Sequence, residues 1–373
     1  MSVKNKNIKK YILAGAGTGG HLYPAISLGE KILEKRPESQ IYFIGTKNGL
    51  EYKVIPEMGY TLFLISVRGF SRTKILLNVI IVLRLFVSLF QCFFILLKIK
   101  PAAVIGTGGY VSGPMLFVSV LLGYPTLIQE QNSFPGITTR WLAKWVNRVH
   151  LSFTEAKKYF RKMNNLIVSG NPVRKFRLYK DKQEARAYFD LDPGKTTLLV
   201  FGGSQGAKRI NEVVGLCLPK LMRDTEAQII WGTGKLSYAA AAKAASQYQN
   251  RVHVTEYIND MAMAYSASDF AVCRAGALTL AELAICGLPS ILIPYPFATA
   301  GHQEKNAEAF RQTGAAVMIL EQELDDKILQ EIIIDLIENK AKMDSMKKAA
   351  QNAAFPDAAD HIVQSIFEIE KKR

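Results

Sequence analysis

The chain has 373 residues, more than one compact core usually carries, so two domains are expected. Hydrophobic residues make up 49% and charged residues 21%, a balance that excludes an intrinsically disordered chain. Lysine and arginine outnumber aspartate and glutamate by 47 to 32, and the resulting formal net charge of +15 favours an anionic partner: nucleic acid, an acidic membrane or a phosphorylated substrate.

In chain order, a basic leader is followed by the apolar run Tyr11–Ala14, too short for a signal-peptide core, and then by the glycine loop GAGTGGH at 15–21. The run reads as a first strand, and the protein is expected not to be exported. A helical pattern covers Pro24–Lys35, and Gln40–Ile44 reads as a second strand. Val104–Ile105 leads into a second loop, GTGGYVSGP at 106–114. Pro125–Gln129 and Ile167–Val168 are further strands. The pattern restarts after Asn171-Pro172: Lys182–Tyr188 is helical, Asp192-Pro193-Gly194 is a turn, and the strand Thr197–Phe201 runs into a third loop, GGSQGAKRIN at 202–211. Strands at Gln228–Trp231, Val252–Thr255, Phe270–Cys273 and Ser290–Ile293 follow. Such alternation predicts parallel sheets built from βαβ units. The fold class is therefore α/β, with two Rossmann-like domains, residues 1–169 and 170–351, each opened by its own strand–glycine loop–helix unit. Ala358–Glu370 is amphipathic, and the segment 352–373 could pack back on the first domain. The cysteines Cys92, Cys217, Cys273 and Cys286 form no metal-ligand pattern; each reads as a small buried hydrophobe in a reducing cytoplasm.

Glycines after a strand let the backbone approach a ligand, and the helix that follows offers N–H groups and a positive dipole end to a phosphate. A tight turn explains one such loop as well; three of them, carrying Thr18, Thr107, Ser112 and Ser204, favour phosphate binding. GAGTGG also satisfies the dinucleotide pattern G-x-G-x-x-G, but the second strand ends Ile44-Gly45-Thr46, without the acidic residue that would hold a ribose. His21, at the opening of the helix, suits a base beside a reacting hydroxyl; the plainer reading is a residue that hydrogen-bonds its own loop. Glu130 is a second candidate base, or else a salt-bridged loop residue.

The segments GTGGHLYPA, GTGGYVSGP, QEQNSFPG, GNPVR, FGGSQGAKRIN, EYINDM, RAGALTLAE and HQEKNA occur in the order found in the MurG family, which the chain resembles over roughly residues 10–320. That resemblance implies a B-type glycosyltransferase fold with parallel sheets facing a cleft. It implies inverting transfer of N-acetylglucosamine from UDP-N-acetylglucosamine to lipid I, the undecaprenyl-pyrophosphoryl-muramyl-pentapeptide, in peptidoglycan synthesis. Carried over by position, Thr18, Gly19 and Gly20 line the donor's diphosphate and sugar, and Asn132 contacts the transferred sugar. Arg174 and Ser204 hold the diphosphate, and Ile258 meets uracil. Ala277, Leu278, Thr279 and Glu282 form the nucleotide pocket, with the Glu282 carboxylate on the ribose. Gln303 binds sugar hydroxyls, with Asn306 beside it; on sequence alone both would pass as exposed helix polars. The family's aspartates before the His-Gln pair are Ala300-Gly301 here, and Ala16 replaces a glycine in the first loop.

Loss of a nucleotide diphosphate needs its charge stabilised. The one DxD match, Asp190-Leu191-Asp192, precedes a strand, at the wrong end for such a site. Neutralisation is therefore assigned to Arg174 and the N–H groups at Ser204, Gln205 and Gly206, with no metal and no cofactor.

Residues 68–100 are the most apolar part of the chain, and Ile75–Leu97 meets the length of about 20 residues that spanning requires. Asn78, Arg84 and Gln91 interrupt it, so it reads as one or two helices, partly core and partly lying on a membrane. Arg68, Arg72, Lys74, Arg84, Lys98 and Lys100 could meet anionic headgroups. Arg140, Lys144 and Arg148 near Trp141 and Trp145 add a basic–aromatic face, with no nucleic-acid module accompanying it. The expected location is the cytoplasmic face of the plasma membrane. Two other readings remain open on sequence: a related transferase that makes a glycolipid, and a non-catalytic nucleotide-sugar-binding membrane partner.

Overall fold

Short apolar runs ending on glycine become the strands of two all-parallel sheets. A computed structural model describes residues 8–69, 75–161, 163–173, 181–203 and 206–371, with the side chains of 75–78 excepted. The chain divides into one unit of Met1–Arg174 with Pro356–Arg373 and another of Lys175–Phe355.

The first unit contains β1 (Lys10–Gly15), α1 (Gly19–Lys35), β2 (Gln40–Gly45), α2 (Glu51–Glu57), β3 (Thr61–Leu64), α3 (Ile75–Ile99), β4 (Ala103–Gly108), α4 (Ser112–Leu121), β5 (Thr126–Glu130), α5 (Ile137–Leu142), β6 (Arg148–Leu151) and β7 (Leu166–Val168). Its seven strands lie in the order β3-β2-β1-β4-β5-β6-β7. The second unit contains α6 (Lys182–Ala187), β8 (Thr197–Phe201), α7 (Lys208–Asp224), β9 (Gln228–Gly232), α8 (Tyr238–Ala245), β10 (Val252–Thr255), α9 (Met261–Ala267), β11 (Phe270–Cys273), α10 (Ala277–Cys286), β12 (Ser290–Leu292), α11 (His302–Gln312), β13 (Ala316–Met318), α12 (Asp326–Glu338) and α13 (Lys340–Asn352). Its six strands follow the same scheme, β10-β9-β8-β11-β12-β13. In each sheet the winding direction reverses beside the first strand, between β1 and β4 and between β8 and β11. Loops leaving those strands at their carboxyl ends diverge there, which is where open parallel sheets receive ligands.

Helices cover both faces of each sheet, so strands such as β5 and β8 are buried along their whole length. α1 opens at Gly19, earlier than the Pro24 start expected, and carries Pro24 inside it. Cys92, Cys217 and Cys273 are buried as expected, whereas Cys286 is only partly so. The last helix, α14 (Ala358–Glu370), belongs to the first unit. Ile362, Val363, Ile366 and Phe367 join one apolar cluster with Tyr11 and Leu13 of β1 and Leu22 and Ile26 of α1. At its end Glu370 accepts from the Tyr11 hydroxyl at 2.7 Å and pairs with Arg36 at 2.5 Å, and the Arg36 guanidinium lies 3.6 Å from the centre of the Phe367 ring. Asp360 adds ion pairs with Lys31 at 3.1 Å and Lys35 at 2.7 Å.

His150 of β6 is fully buried; Nδ1 meets Ser169 Oγ at 3.0 Å and Nε2 has no partner among the described residues. Burial, with smaller contributions from Arg148 and His361, pushes its pKa down to about 4 from 6.5. An unfolded chain takes up this proton near pH 6.5, so acidification from there to about 4 favours unfolding. The expected loss is on the order of 3 kcal/mol. It would be seen as a steeper fall of the wild-type thermal midpoint over that window than in His150→Gln; parallel curves would refute it.

Candidate active site

In the first unit, the loops after β1 and β4 interlock around His21. Gly108 and Gly109 take φ of 109° and 75°, in the region that favours glycine. A Cβ on Gly108 would strike His21 Nδ1, and one on Gly109 would strike the Ala16 carbonyl. Thr107 Oγ1 donates to the His21 carbonyl at 2.8 Å. His21 Nδ1 faces two acceptors, the Thr107 carbonyl at 3.1 Å and Gln131 Oε1 at 3.0 Å. The orientation of the Gln131 amide is fixed, because Nε2 donates to the carbonyls of Thr107 at 2.6 Å and Gln129 at 3.1 Å. Two acceptors at Nδ1 place the proton there, so the neutral ring carries its lone pair on Nε2.

Behind Gln131 the amide chain continues. Its Nε2 also meets Gln129 Oε1, and Gln129 Nε2 donates to Ser152 Oγ and Asn171 Oδ1, both at 3.0 Å. Asn171 Nδ2 returns to the Gln131 carbonyl at 3.2 Å. Gln129, Gln131, Ser152 and Asn171 are all buried. QEQN and GNPVR thus supply a polar network that a reading centred on Glu130, Asn132 and Arg174 missed. Glu130 itself is buried and accepts from the Asn132 amide at 3.1 Å and the Gly136 amide at 3.1 Å. These bonds come from backbone amides, where the sequence suggested either a base or a salt bridge. Thr18 and Gly20 are exposed and Gly19 and Asn132 half-buried.

In the second unit, the described candidates follow the carboxyl ends of the strands: Gly206 after β8, Ile258 after β10, Ala277 to Glu282 after β11, and Gln303 and Asn306 on α11 after β12. Gly206 has φ of 72° and precedes α7, whose cap residue Ala207 supplies no side-chain bond. Gly276 likewise opens α10 without a side-chain cap, so the first turn holding Ala277, Leu278 and Thr279 is not closed by its cap residue. Helices α6, α9, α12 and α13 are closed by Asp181, Asp260, Asp325 and Asn339. Ile258 follows β10, and a Cβ on Gly232 would crowd its side chain. Glu282 accepts from the buried Tyr265 hydroxyl at 2.8 Å. Burial, reinforced by this carboxylate, pushes the Tyr265 phenol far up, so it remains a donor.

Gln303 Oε1 accepts from the Tyr295 amide at 3.0 Å, fixing which end of its own amide faces outward. Asn306 is fully buried, not an exposed helix polar, and lies 3.5 Å from the Ala275 carbonyl. Arg274, unremarked within RAGALTLAE, ties β11 to the strand-end loop after β12: it pairs with Glu321 and donates to the carbonyls of Ile293 at 3.1 Å and Pro294 at 3.3 Å. Arg174, Ser204 and Gln205 lie outside the described residues. Asp192 precedes β8, at the edge opposite the glycine loop. Among the described residues no group of three or more His, Cys, Asp or Glu is placed to hold a metal ion.

The helix α3 is continuous, and Val79–Ile99 is long and apolar enough to cross a membrane. One face, with Ile81, Ser88, Cys92, Leu96 and Ile99, is buried. The other leaves Leu83, Phe86, Phe90 and Phe94 exposed, at 57–66% of their surface. Leu121, Ile137, Trp141 and Trp145 are exposed on α4, α5 and the turn beyond, with the two indoles 4.6 Å apart. Arg68, Arg84, Lys98, Lys100 and Lys144 are exposed, and Arg140 and Arg148 half-buried; Arg72 and Lys74 lie outside the described residues.

Residues 11–151 match the glycosyltransferase family 28 N-terminal domain, and residues 197–362 match the glycosyltransferase family 28 C-terminal domain. A Ruminiclostridium cellulolyticum protein named UDP-N-acetylglucosamine–N-acetylmuramyl-(pentapeptide) pyrophosphoryl-undecaprenol N-acetylglucosamine transferase is 42% identical over 363 residues, covering 96% of this chain and 100% of its own. Its namesake from Chlorobium limicola is 41% identical, over 96% of this chain and 99% of its own. The crystal structure of Acinetobacter baumannii MurG aligns with a TM-score of 0.80 at 27% identity, over 96% of this chain and 99% of its own. A UDP-glucose:anthocyanidin 3-O-glucosyltransferase in complex with UDP shares the fold, with a TM-score of 0.69 at 14% identity over 99% and 100% of the two chains.

Proposed function

The chain belongs to the MurG family of glycosyltransferases, and on that premise we propose that it transfers N-acetylglucosamine from UDP-N-acetylglucosamine to lipid I, forming lipid II for peptidoglycan. The observation that carries the chemistry is the orientation of His21, whose Nδ1 faces two acceptors and leaves Nε2 as the basic atom. His21 Nε2 takes the proton of the acceptor hydroxyl as its oxygen attacks the anomeric carbon. The bond from that carbon to the phosphate oxygen breaks, UDP leaves, and the centre inverts. Gln131, held by Gln129, positions the base; Glu130 shapes the loop that presents Asn132 to the sugar.

The second unit holds the nucleotide in this reading. Glu282, steadied by Tyr265, accepts from the ribose hydroxyls, and Ile258 meets uracil. The first turn of α10 at Ala277, Leu278 and Thr279, together with Gly206, Ser204, Gln205 and Arg174, neutralises the diphosphate. Gln303 and Asn306 serve the sugar, and Thr18, Gly19 and Gly20 meet the diphosphate and sugar from the first unit. The anionic partner implied by the net charge is then the substrate and the membrane, not nucleic acid.

Exposed apolar side chains on one face of α3, with the exposed Arg84 and Lys98 on the same helix, support attachment to the anionic cytoplasmic leaflet with the helix lying on it.

Radiolabelled sugar should pass from the donor to lipid I with chelator present. His21→Ala should lower kcat by about 10²–10⁴-fold while UDP still binds. Absence of transfer by the wild-type chain, strict dependence on a divalent ion, or full turnover by His21→Ala would each count against this mechanism. Glu282→Ala removes bonds from a charged acceptor worth about 1.5–3 kcal/mol, and should weaken UDP binding, measured by calorimetry, by roughly 10–100-fold. Replacing Phe86, Phe90 and Phe94 by Asp should release the protein from vesicles containing anionic lipid, and so should high salt for the wild type. Undiminished co-sedimentation of the triple variant would locate the membrane contact elsewhere.

A further inference from the structure

Glu51, the first residue of α2, is fully buried. No lysine or arginine lies within ion-pair distance of it among the described residues. Its carboxylate is held by neutral donors alone. Oε2 accepts from the Gly17 amide at 2.9 Å. Oε1 accepts from the Thr46 amide at 2.8 Å and the Thr46 hydroxyl at 3.1 Å. Gly17 is the middle of GAGTGG and takes φ of 95°. Glu51 therefore joins the end of β2 to the first glycine loop, through the one residue of that loop in the left-handed region.

A carboxylate is the side chain this geometry requires. Three donors converge on it, and only an acceptor with two oxygens satisfies them. Glutamine has the same shape but turns an NH2 group toward one of these N–H donors, and burial leaves no water to relieve the clash. Gly45 and Gly49 flank the carboxylate, and a Cβ on either would run into it. The acid that a dinucleotide-binding domain would place on a ribose near the end of its second strand is here turned inward, onto the loop backbone.

We propose that Glu51 is a positioning residue for transfer: by fixing the Gly17 amide it sets the conformation from which Thr18, Gly19 and Gly20 meet the donor and His21 meets the acceptor. This rests on the transferase reading above, in which that loop faces the reacting groups.

The test uses the full-length protein, UDP-N-acetylglucosamine and lipid I, with UDP binding and the thermal midpoint measured alongside. Glu51→Gln should lower kcat/KM at least about tenfold and weaken UDP binding by a smaller factor, because the second unit makes most of the nucleotide contacts in this reading. Gly17→Ala supplies the coupling measurement. Its Cβ would meet nothing within 4 Å, so it acts through the backbone alone. The double variant should lose little more than the worse single variant, because both release the same loop. Additive losses, or Glu51→Gln with wild-type kinetics, would overturn the role of Glu51. If Glu51→Gln fails to fold, Gly49→Ala displaces the same carboxylate and should show the same split between kinetics and UDP binding; wild-type kinetics in that folded variant would also overturn it. A wild-type chain that transfers nothing refutes the transferase reading itself, whereas active wild type with unimpaired variants refutes only this inference.

Discussion

Everything in each unit is organised by the reversal of winding in a parallel sheet. Strands buried on both faces expose backbone polar groups chiefly at their ends, and the loops part where winding changes direction. Between β1 and β4, and again between β8 and β11, this opens a place that backbone amides can line. Glycines then decide how closely the chain may approach itself there. Gly108 and Gly109 bring the second loop against His21 and Ala16 only because no Cβ intervenes. The histidine owes its orientation to that close approach as much as to its own hydrogen bonds.

The two units use the reversal differently. In the first, a chain of buried amides from Asn171 through Gln129 to Gln131 ends on one imidazole nitrogen, giving a fixed proton position in a site made otherwise of backbone. In the second, helix openings without side-chain caps and a carboxylate steadied by a buried phenol give a surface suited to a nucleotide. Arg274 contributes by holding the strand-end loops together, and its partner Glu321 is itself part-buried. Rigid supports of this kind lie one layer behind the groups that would touch a ligand.

The larger architecture was legible because its signals are local. An apolar run closed by glycine identifies β1, β4 and β8, and a motif order spanning most of the chain identifies the family. β3, β6 and β13 were missed: all are short, β3 and β13 are only partly buried, and in β6 Arg148 and His150 break the apolar run that would announce it. The start of α1 was obscured by Pro24, which sits inside the helix. The supporting network was not legible, since His21 and Gln131 stand 110 positions apart and meet only through the sheet. Asn306 looked like a surface polar because its neighbours in α11 are charged, yet it is the residue turned toward Ala275. The acid missing from the end of β2 was present as Glu51, displaced into the next helix and facing inward.

The seating of α14 on β1 and α1 has a consequence for biosynthesis. The helix that seals one face of the first unit is made only after the whole of the second unit has been translated. Until then Tyr11 and Leu13 lack their apolar cover and Arg36 lacks its carboxylate. The amino-terminal half therefore cannot reach its finished state while the ribosome is still at work on the rest. A nascent chain stalled, or a gene truncated, shortly before Pro356 would leave its earliest-made half with an uncovered apolar face, a target for chaperones and proteases.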